Sequence, residues 1–355
     1  MAYLLLNTAL ETVDDIDNYD SMIWTDRYYA AGDFSLYLAA STAAVAKYVK
    51  DFYIWSDESD ELMIVETSEI KESEEGGEFL TVTGRSFTSI LSRRIIWGQV
   101  TLQGNFQAAI KRLMNENVLN PADASRKIPN LTFKDSTDPA ITSLTIDEQF
   151  LGTNLYETIA ALCKIRNVGF RITGTEGAFV FELYMGKDRS FNQLANPQVS
   201  FSPDMDNLTS SRYLHSKETL KTVSLVGGEG QWPAKIFAVT PLASGAGSGL
   251  NRRESYVESG TSPKSGDVEM TPEEYQRVLV EKGRFDLLNN RETMTFDGEI
   301  EMTASDVYNV NFFMGDILSM ANEFGIESTS RVVEFIRSKS PTGNAAYPTM
   351  ESVTL

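Results

Sequence analysis

The sequence predicts a mainly β protein with α+β parts, in which two β modules, the first a meander or a small barrel, flank a mixed α/β middle. Three observations carry this expectation. Period-two alternation of apolar and polar residues dominates both ends of the chain. Helical spacing is concentrated in the middle and in one later segment. A Gly-, Ser- and Pro-rich stretch interrupts the second half.

Residues 1–85 read as the first β module. Phe34-Ser35-Leu36-Tyr37-Leu38, Leu62-Met63-Ile64-Val65-Glu66 and Phe79-Leu80-Thr81-Val82-Thr83 alternate and are bounded by Gly, Asp or charged residues. Gly76-Gly77, inside an acidic loop Lys71–Glu78, reads as the turn between the last two. From Gly84 the period changes. Ser86, Phe87, Ile90, Leu91 and Ile95 fall at helical spacing, with Arg93-Arg94 at the end where cations suit the helix dipole. Asn105 caps a second predicted helix with Phe106, Ala109, Ile110, Leu113 and Met114 on one face, ending before Pro121. A third spans Asn154–Asn167, with Leu155, Ile159, Leu162 and Cys163 on one face and Gly169 closing it. With strands at Gly169–Thr173 and Phe179–Tyr184, residues 86–195 form the mixed α/β module.

Strand character returns at Ser211–Val226, and Pro241–Asp267 reads as a mobile loop or linker. Thr271, Pro272 and Glu274 have the pattern of a capping box with a proline at the first helical position. They open a helix to about Asn290 with Tyr275, Val278, Leu279, Phe285 and Leu288 inward. Alternation resumes through Met294, Phe296, Ile300 and Met302, then Ile317, Leu318, Val332, Val333, Phe335 and Ile336. Residues 196–240 with 291–355 thus make the second β module, and 241–290 a loop-and-helix insertion. No internal repeat of fixed short period is visible.

A chain of 355 residues, 42% hydrophobic and 23% charged, is long enough for several packed modules and is ordinary in composition. Its 31 Lys and Arg against 50 Asp and Glu give a net charge of −19, which repels phosphate backbones and anionic headgroups. One cysteine allows no internal disulfide. The run Met1–Leu10 lacks a basic leader and precedes the acidic stretch Asp14–Asp20, so it does not read as a signal peptide. No apolar segment approaches the ~18 residues a membrane span needs.

Candidate chemistry is sparse. His215, the only histidine, reads as exposed or structural, since no nucleophile lies near it in sequence. Cys163, on an apolar helix face, reads as an inert buried thiol. Gly227-Gly228-Glu229-Gly230 is followed by Gln231-Trp232-Pro233 instead of a Lys-Ser or Lys-Thr pair, which makes it a turn and not a phosphate cradle. Asp14, Asp15, Asp17 and Asp20 lack the mid-loop glycine and distal glutamate of a calcium loop. Asp297, Glu299 and Glu301 share one face of a strand, as a catalytic carboxylate pair or, more simply, as the wet face of a sheet. Arg93-Arg94 and Arg252-Arg253 suit ion pairing between subunits. Trp24, Trp55, Trp97 and Trp232 are either core and interface aromatics or sugar-stacking platforms. No catalytic, cofactor-binding or metal residue is assigned, and no cofactor.

One set of motifs points further. Ser21-Met22-Ile23-Trp24-Thr25-Asp26-Arg27-Tyr28-Tyr29 followed by Gly32-Asp33-Phe34-Ser35-Leu36-Tyr37-Leu38 places an aromatic-rich turn before a strand. Leu62–Glu66, Leu80–Gly84 with Arg85, and Ile90-Leu91-Ser92-Arg93-Arg94-Ile95-Ile96 follow in order. Tyr308-Asn309-Val310, Gly315-Asp316-Ile317-Leu318, Arg331-Val332-Val333-Glu334 and Tyr347-Pro348-Thr349 close the series. This set resembles siphophage Gp37-like proteins, related to the tail hub proteins of the baseplate. The resemblance implies two β-barrel-like hub domains per subunit, with Gly315-Asp316 at a turn of the second, and a homotrimeric ring of pseudo-sixfold symmetry at the end of the tail tube. The implied role is structural, without enzyme activity and without membrane insertion, in a virion tail tip or baseplate. Implied partners are the tail tube or distal tail protein, tail-tip or fibre proteins and the tape measure protein, with DNA passing unbound through an acidic lumen. The rival expectations are a receptor- or glycan-binding tail-tip module using the tryptophans, and a cell-wall-degrading tail enzyme.

Overall fold

The computed structural model describes residues 2–73, 77–175, 178–265, 267–300 and 307–353. Its central feature is a ten-stranded sheet. Eight of the strands follow one path: Leu208–Ser216, Thr293–Ile300, Gly343–Ser352, Glu327–Ser340, Ser21–Arg27, Asp33–Ala39, Gly77–Arg85 and Thr67–Ser73. Ile317–Ala321 and Ser200–Phe201 join at the side. The strands alternate as the sequence predicts: Phe34, Leu36 and Leu38 of one and Leu80 and Val82 of its neighbour are buried on one face.

The expected two barrels are not there, because none of the sheets among the described residues closes on itself. The strand that would close the first module, Ser21–Arg27, instead pairs antiparallel with Glu327–Ser340, with Arg27 opposite Glu334 and Met22 opposite Lys339. Both ends of the chain therefore share one open sheet. The acidic loop Lys71–Glu78 is also corrected. Thr67–Ser73 is a strand hydrogen-bonded to Gly77–Arg85, with Ile70 its one large apolar residue and exposed, so it carried no alternation to read. Gly76, Glu301, Met302 and Leu355 lie outside the described residues.

Three hydrophobic clusters fill the main body. Met22, Trp24, Phe34 and Leu80 pack under the N-terminal half of the sheet, with a small four-stranded sheet that includes Tyr3–Leu6 and Tyr53–Ser56. Phe201, Phe296, Phe312 and Phe335 pack under the C-terminal half. The middle module has its own core of Phe106, Ile110, Leu155, Leu162, Phe170 and Phe181. Burial of each such side chain contributes about 1.5 to 3 kcal/mol.

The helices there begin where the caps predict. The Asn105 side chain accepts from the Ala108 N–H at 3.0 Å before Phe106–Met114, and Asn154 accepts from the Glu157 N–H at 3.2 Å before Leu155–Ile165. Phe87–Arg93 is a tight 3₁₀ helix. The third helix is closed by Asn167, in the left-handed region at φ 55°, whereas Gly169 already begins the strand Gly169–Thr175.

Pro241–Asp267 is more ordered in form than expected. It contains the strand Glu254–Glu258, parallel to Val223–Gly227, which also pairs with Phe237–Pro241. The charged ends and single Val257 of this strand gave the sequence too little apolar pattern. The helix Pro272–Asn289 packs on that sheet, with Tyr275 and Leu279 against Val226 and Ala238. Its capping box is present: Thr271 Oγ1 accepts from the Glu274 N–H at 3.2 Å, and Glu274 accepts from the Thr271 N–H at 2.8 Å. Leu287, not Leu288, is the inward leucine of the last turn.

Tyr28 joins three parts of the chain. Its ring is fully buried between Gly169 and Gly315, where an added Cβ would come within 2.3 Å of the ring at either glycine. Gly315 also has φ 88°, so the position suits glycine twice over. The Tyr28 hydroxyl donates to the Asn167 carbonyl at 2.9 Å. Tyr28→Ala is expected to cost about 3 to 5 kcal/mol in chemical denaturation, and Tyr28→Phe, which removes one hydrogen bond, about 1 kcal/mol.

Candidate assembly site and charged belt

Side chains opposite the core face of the long sheet form a belt of charge running across the strands. Arg212 Nη1 lies 3.2 Å from Asp297 Oδ2. Asp297 is opposite Thr349, whose hydroxyl donates to Glu334 at 3.2 Å. Glu334 accepts from Arg27 Nε at 2.6 Å, and Arg27 also pairs with Asp33. Asp33 is opposite Arg85, which holds Glu66 through two hydrogen bonds of 2.8 Å. Three arginines are thus each held by one or two of the four carboxylates spaced among them from one edge of the sheet to the other. Burial raises the Asp297 carboxyl above its usual range, against the pull of Arg212.

Among the described residues, two strands of the eight-strand path have a neighbour on one side only. They are Leu208–Ser216 at one end and Thr67–Ser73 at the other. The belt ends beside them on opposite signs: Arg212, 68% exposed, at the first edge and Glu66 at the second. The path also repeats itself. Calling the strands of each half a, b, c and d in chain order, Ser21–Arg27, Asp33–Ala39, Thr67–Ser73 and Gly77–Arg85 lie in the order a-b-d-c. Leu208–Ser216, Thr293–Ile300, Glu327–Ser340 and Gly343–Ser352 lie in the same order, read in the same direction. The junction inside the chain is therefore a c strand against an a strand, and the two open edges are the remaining c and a.

On the core side the junction is fixed by a buried ion pair. Asp26 accepts from Arg337 Nη2 at 2.5 Å, from the Trp24 indole at 3.1 Å and from Ser59 at 3.0 Å. Arg337 Nη1 donates to the Glu58 carbonyl at 2.6 Å. Beside it lies a cleft of about 500 Å³ between the 57–61 loop, Arg171, the 184–189 segment and the 308–316 segment. Its arginines are bound to carboxylates: Arg171 to Asp60 and Glu182, Arg189 to Asp316 at 2.6 Å. Asp316 also accepts from the N–H groups of Lys187 and Phe313, which makes the Gly315-Asp316 turn a buried tie between modules. Glu61 is buried and accepts from Thr88 at 2.7 Å; burial pushes its carboxyl up to about 7 despite that hydrogen bond.

The residues singled out from the sequence are scattered. His215 is partly exposed beside Glu292, on the edge strand Leu208–Ser216. Cys163 is buried, and desolvation pushes its thiol well above the ordinary range. Gly227–Gly230 forms the hairpin turn between Val223–Gly227 and Phe237–Pro241. Asp14 pairs with Lys47 at 2.7 Å, and among the described residues no group of three metal-ligating side chains is assembled. Asp297 and Glu299 lie on one strand, while Glu301 is outside the described residues. Arg252 pairs with Glu254 at 2.5 Å and Arg93 with Asp51 at 2.8 Å, both within the chain. Trp24 is buried, Trp55 half-buried, and Trp97 and Trp232 exposed. The belt residues Arg27, Asp33, Glu66, Arg85, Arg212 and Glu334 had no assigned role in the sequence. Their strand parity was readable, but their partners were not.

The family model described as Siphovirus ReqiPepy6 Gp37-like protein matches residues 3–347. No curated protein sequence matches significantly. The fold is similar to the crystal structure of the prophage MuSo2 43 kDa tail protein of Shewanella oneidensis, at TM-score 0.60 and 11% identity over 99% of this chain and 98% of that one. It is equally similar to a tail protein of Neisseria meningitidis MC58, at TM-score 0.60 and 12% identity over 99% and 97%. The prophage tail protein gp18 of Listeria monocytogenes EGD-e aligns at TM-score 0.54 and 12% identity over 99% and 94%.

Two predictions follow from the junction. Because the Glu61 carboxyl titrates near 7 in the fold and at about 4.5 when unfolded, its contribution to stability is complete below pH 4.5 and is lost as pH rises through 7. Glu61→Gln is expected to flatten the decline of the unfolding free energy over that window, read from denaturation midpoints at several pH values. Arg337→Met, which strands the Asp26 charge in the interior, is expected to cost about 3 to 5 kcal/mol.

Proposed function

Since the chain belongs to the Siphovirus ReqiPepy6 Gp37-like family and shares the fold of prophage tail proteins, we propose that it is a phage tail protein and, within the tail, the hub, a ring of three copies that joins the tail tube to the tail tip. The observation that carries this reading is the repeated a-b-d-c order with unlike open edges. A heterologous contact between unlike edges propagates from copy to copy and closes into a ring when the rotation allows. The junction between Glu327–Ser340 and Ser21–Arg27 is a template for it, with Thr67–Ser73 of one copy set antiparallel to Leu208–Ser216 of the next. Each copy supplies two similar four-stranded units, so three copies present six. Such a ring matches a sixfold tube on one side and a threefold tip on the other.

The belt suits the wall of a DNA passage. Each of its arginines is already held by a carboxylate, which leaves little positive charge for a passing phosphate backbone, and the net charge of −19 adds repulsion. The tail tube or distal tail protein, the tape measure protein and tip or fibre proteins are the partners of this role. Residues 1–85 and 196–240 with 291–355 carry the two ring units, and 86–195 forms an outer module. The core shared by Val226, Ala238, Tyr275 and Leu279 favours extending the 241–290 insertion back to include the 223–241 hairpin.

The test is the solution mass of the purified protein by light scattering, with electron-microscope averages of any ring and hydrogen exchange of the two edges. The expected result is a three-chain ring with a central channel, in which the amides of Thr67–Ser73 and Leu208–Ser216 are protected, and its loss in Arg212→Glu. A ring whose two edges exchange as fast as in the isolated chain, or tails with a copy number other than three, overturns the reading.

A further inference from the structure

In this acidic chain the guanidinium groups of Arg94 and Arg126 lie side by side. Arg94 Nε donates to the Arg126 carbonyl at 2.9 Å and its Nη1 to the Arg93 carbonyl at 3.0 Å. Arg126 Nη2 donates to the Ile95 carbonyl at 2.6 Å and to Asn117 Oδ1 at 3.0 Å. Among the described residues neither is in an ion pair, whereas adjacent Arg93 is held by Asp51 at 2.8 Å. The acid beside Arg126, Asp123, is occupied by the Ser125 N–H at 3.0 Å and hydroxyl at 2.7 Å. Desolvation and the nearby Arg94 disfavour the Arg126 charge, and the attraction of Asp123, which makes no ion pair with it, offsets them only in part.

Apolar surface surrounds this pair. The Arg126 guanidinium lies 4.1 Å from the centre of the Trp97 ring. Trp97 is 57% exposed, Ile95 48% and Leu151 65%. The three sit close together because Ile96, buried between Ile95 and Trp97, pairs with the segment that follows Leu151: its N–H donates to the Thr153 carbonyl at 2.9 Å, and its carbonyl accepts from Gly152 at 3.2 Å.

We infer that this surface docks an acidic segment of another protein, which sets a carboxylate against Arg94 and Arg126 and lays an apolar side chain over Trp97. Charge complementarity selects the occupant. Two arginines without carboxylates attract an acidic partner, and their remaining N–H groups match a carboxylate in a planar fork. Trp and Arg are the residue types that dominate binding energy at protein interfaces. The backbone carbonyls already hold both guanidiniums in place, so little side-chain freedom is lost on binding. Two arginines amid aliphatic and indole surface, in a chain of charge −19, suit a protein better than a phosphate backbone. The inference is independent of the ring.

The test uses the full chain and three fluorescein-labelled probes: a peptide of alternating glutamate and leucine, the same peptide with lysine for glutamate, and a single-stranded oligonucleotide. Anisotropy titration is expected to show binding of the glutamate peptide alone. Arg94→Ala and Trp97→Ala are each expected to weaken it by about tenfold or more, and Arg94→Glu to transfer the preference to the lysine peptide. Thermal melting matched to the parent chain certifies that these variants fold; Arg126 also pins its loop, so the Arg94 and Trp97 variants decide. No binding of the glutamate peptide, binding unchanged in Arg94→Ala and Trp97→Ala, or tighter binding of the oligonucleotide overturns the inference.

Discussion

The pairing of Glu327–Ser340 with Ser21–Arg27 is the constraint on which the rest of the structure depends. That one long strand also pairs with Ile317–Ala321 through its first five residues and with Gly343–Ser352 along most of its length. Its alternate residues serve three purposes. Val332 and Phe335 enter the core, Arg337 enters the buried pair with Asp26, and Glu334 enters the belt beside Arg27. A slip of one residue would turn each group to the wrong face. Because an unpartnered Arg337 or Asp26 is costly in the interior, the ion pair penalises such a slip more than it adds net stability.

The two charge systems at this junction differ in kind. Belt pairs such as Arg212 with Asp297 remain open to solvent on at least one side and contribute roughly 0 to 1 kcal/mol each. Their effect is to cancel charge on a face that would otherwise carry exposed arginines. The Asp26–Arg337 pair sits where water is excluded, so its hydrogen bonds to Trp24, Ser59 and the Glu58 carbonyl are what make the two charges tolerable. Tyr28 extends the same junction to the middle module, and Gly169 and Gly315 are needed because its ring occupies the space a Cβ would take.

Local structure was legible in the sequence where a short-range rule applies. Asn105, Asn154 and the Thr271–Glu274 box cap the helices they were expected to cap, and the alternation of Phe34 through Leu38 marks a real strand. Legibility ended where partners are distant or side chains are silent. Arg27 and Glu334 are 307 residues apart, so nothing local tells the first module that its neighbour is the end of the chain and not itself. Thr67–Ser73 and Glu254–Glu258 are edge strands with few apolar residues, so the first from Lys71 onward and the whole of the second have the sequence pattern of loop. The a-b-d-c repeat left no sequence period because it is written in backbone hydrogen bonds, which most side chains can satisfy. The alternating acids Asp297 and Glu299 identified a polar face but not Arg212, which supplies its counter-charge.

The separation between Arg27 and Glu334 can also be expressed as time. A ribosome adds about 5 to 20 residues per second, so Ser21–Arg27 emerges roughly 15 to 60 seconds before the strand that will cover it. During that interval the four N-terminal strands of the path, Ser21–Arg27, Asp33–Ala39, Thr67–Ser73 and Gly77–Arg85, have an open edge on both sides, and either edge can capture a strand from a neighbouring nascent chain. The buried Asp26 spends the same period without Arg337. Synthesis of this protein therefore includes a window of vulnerability set by topology alone, which closes only when the 334–339 segment reaches its place.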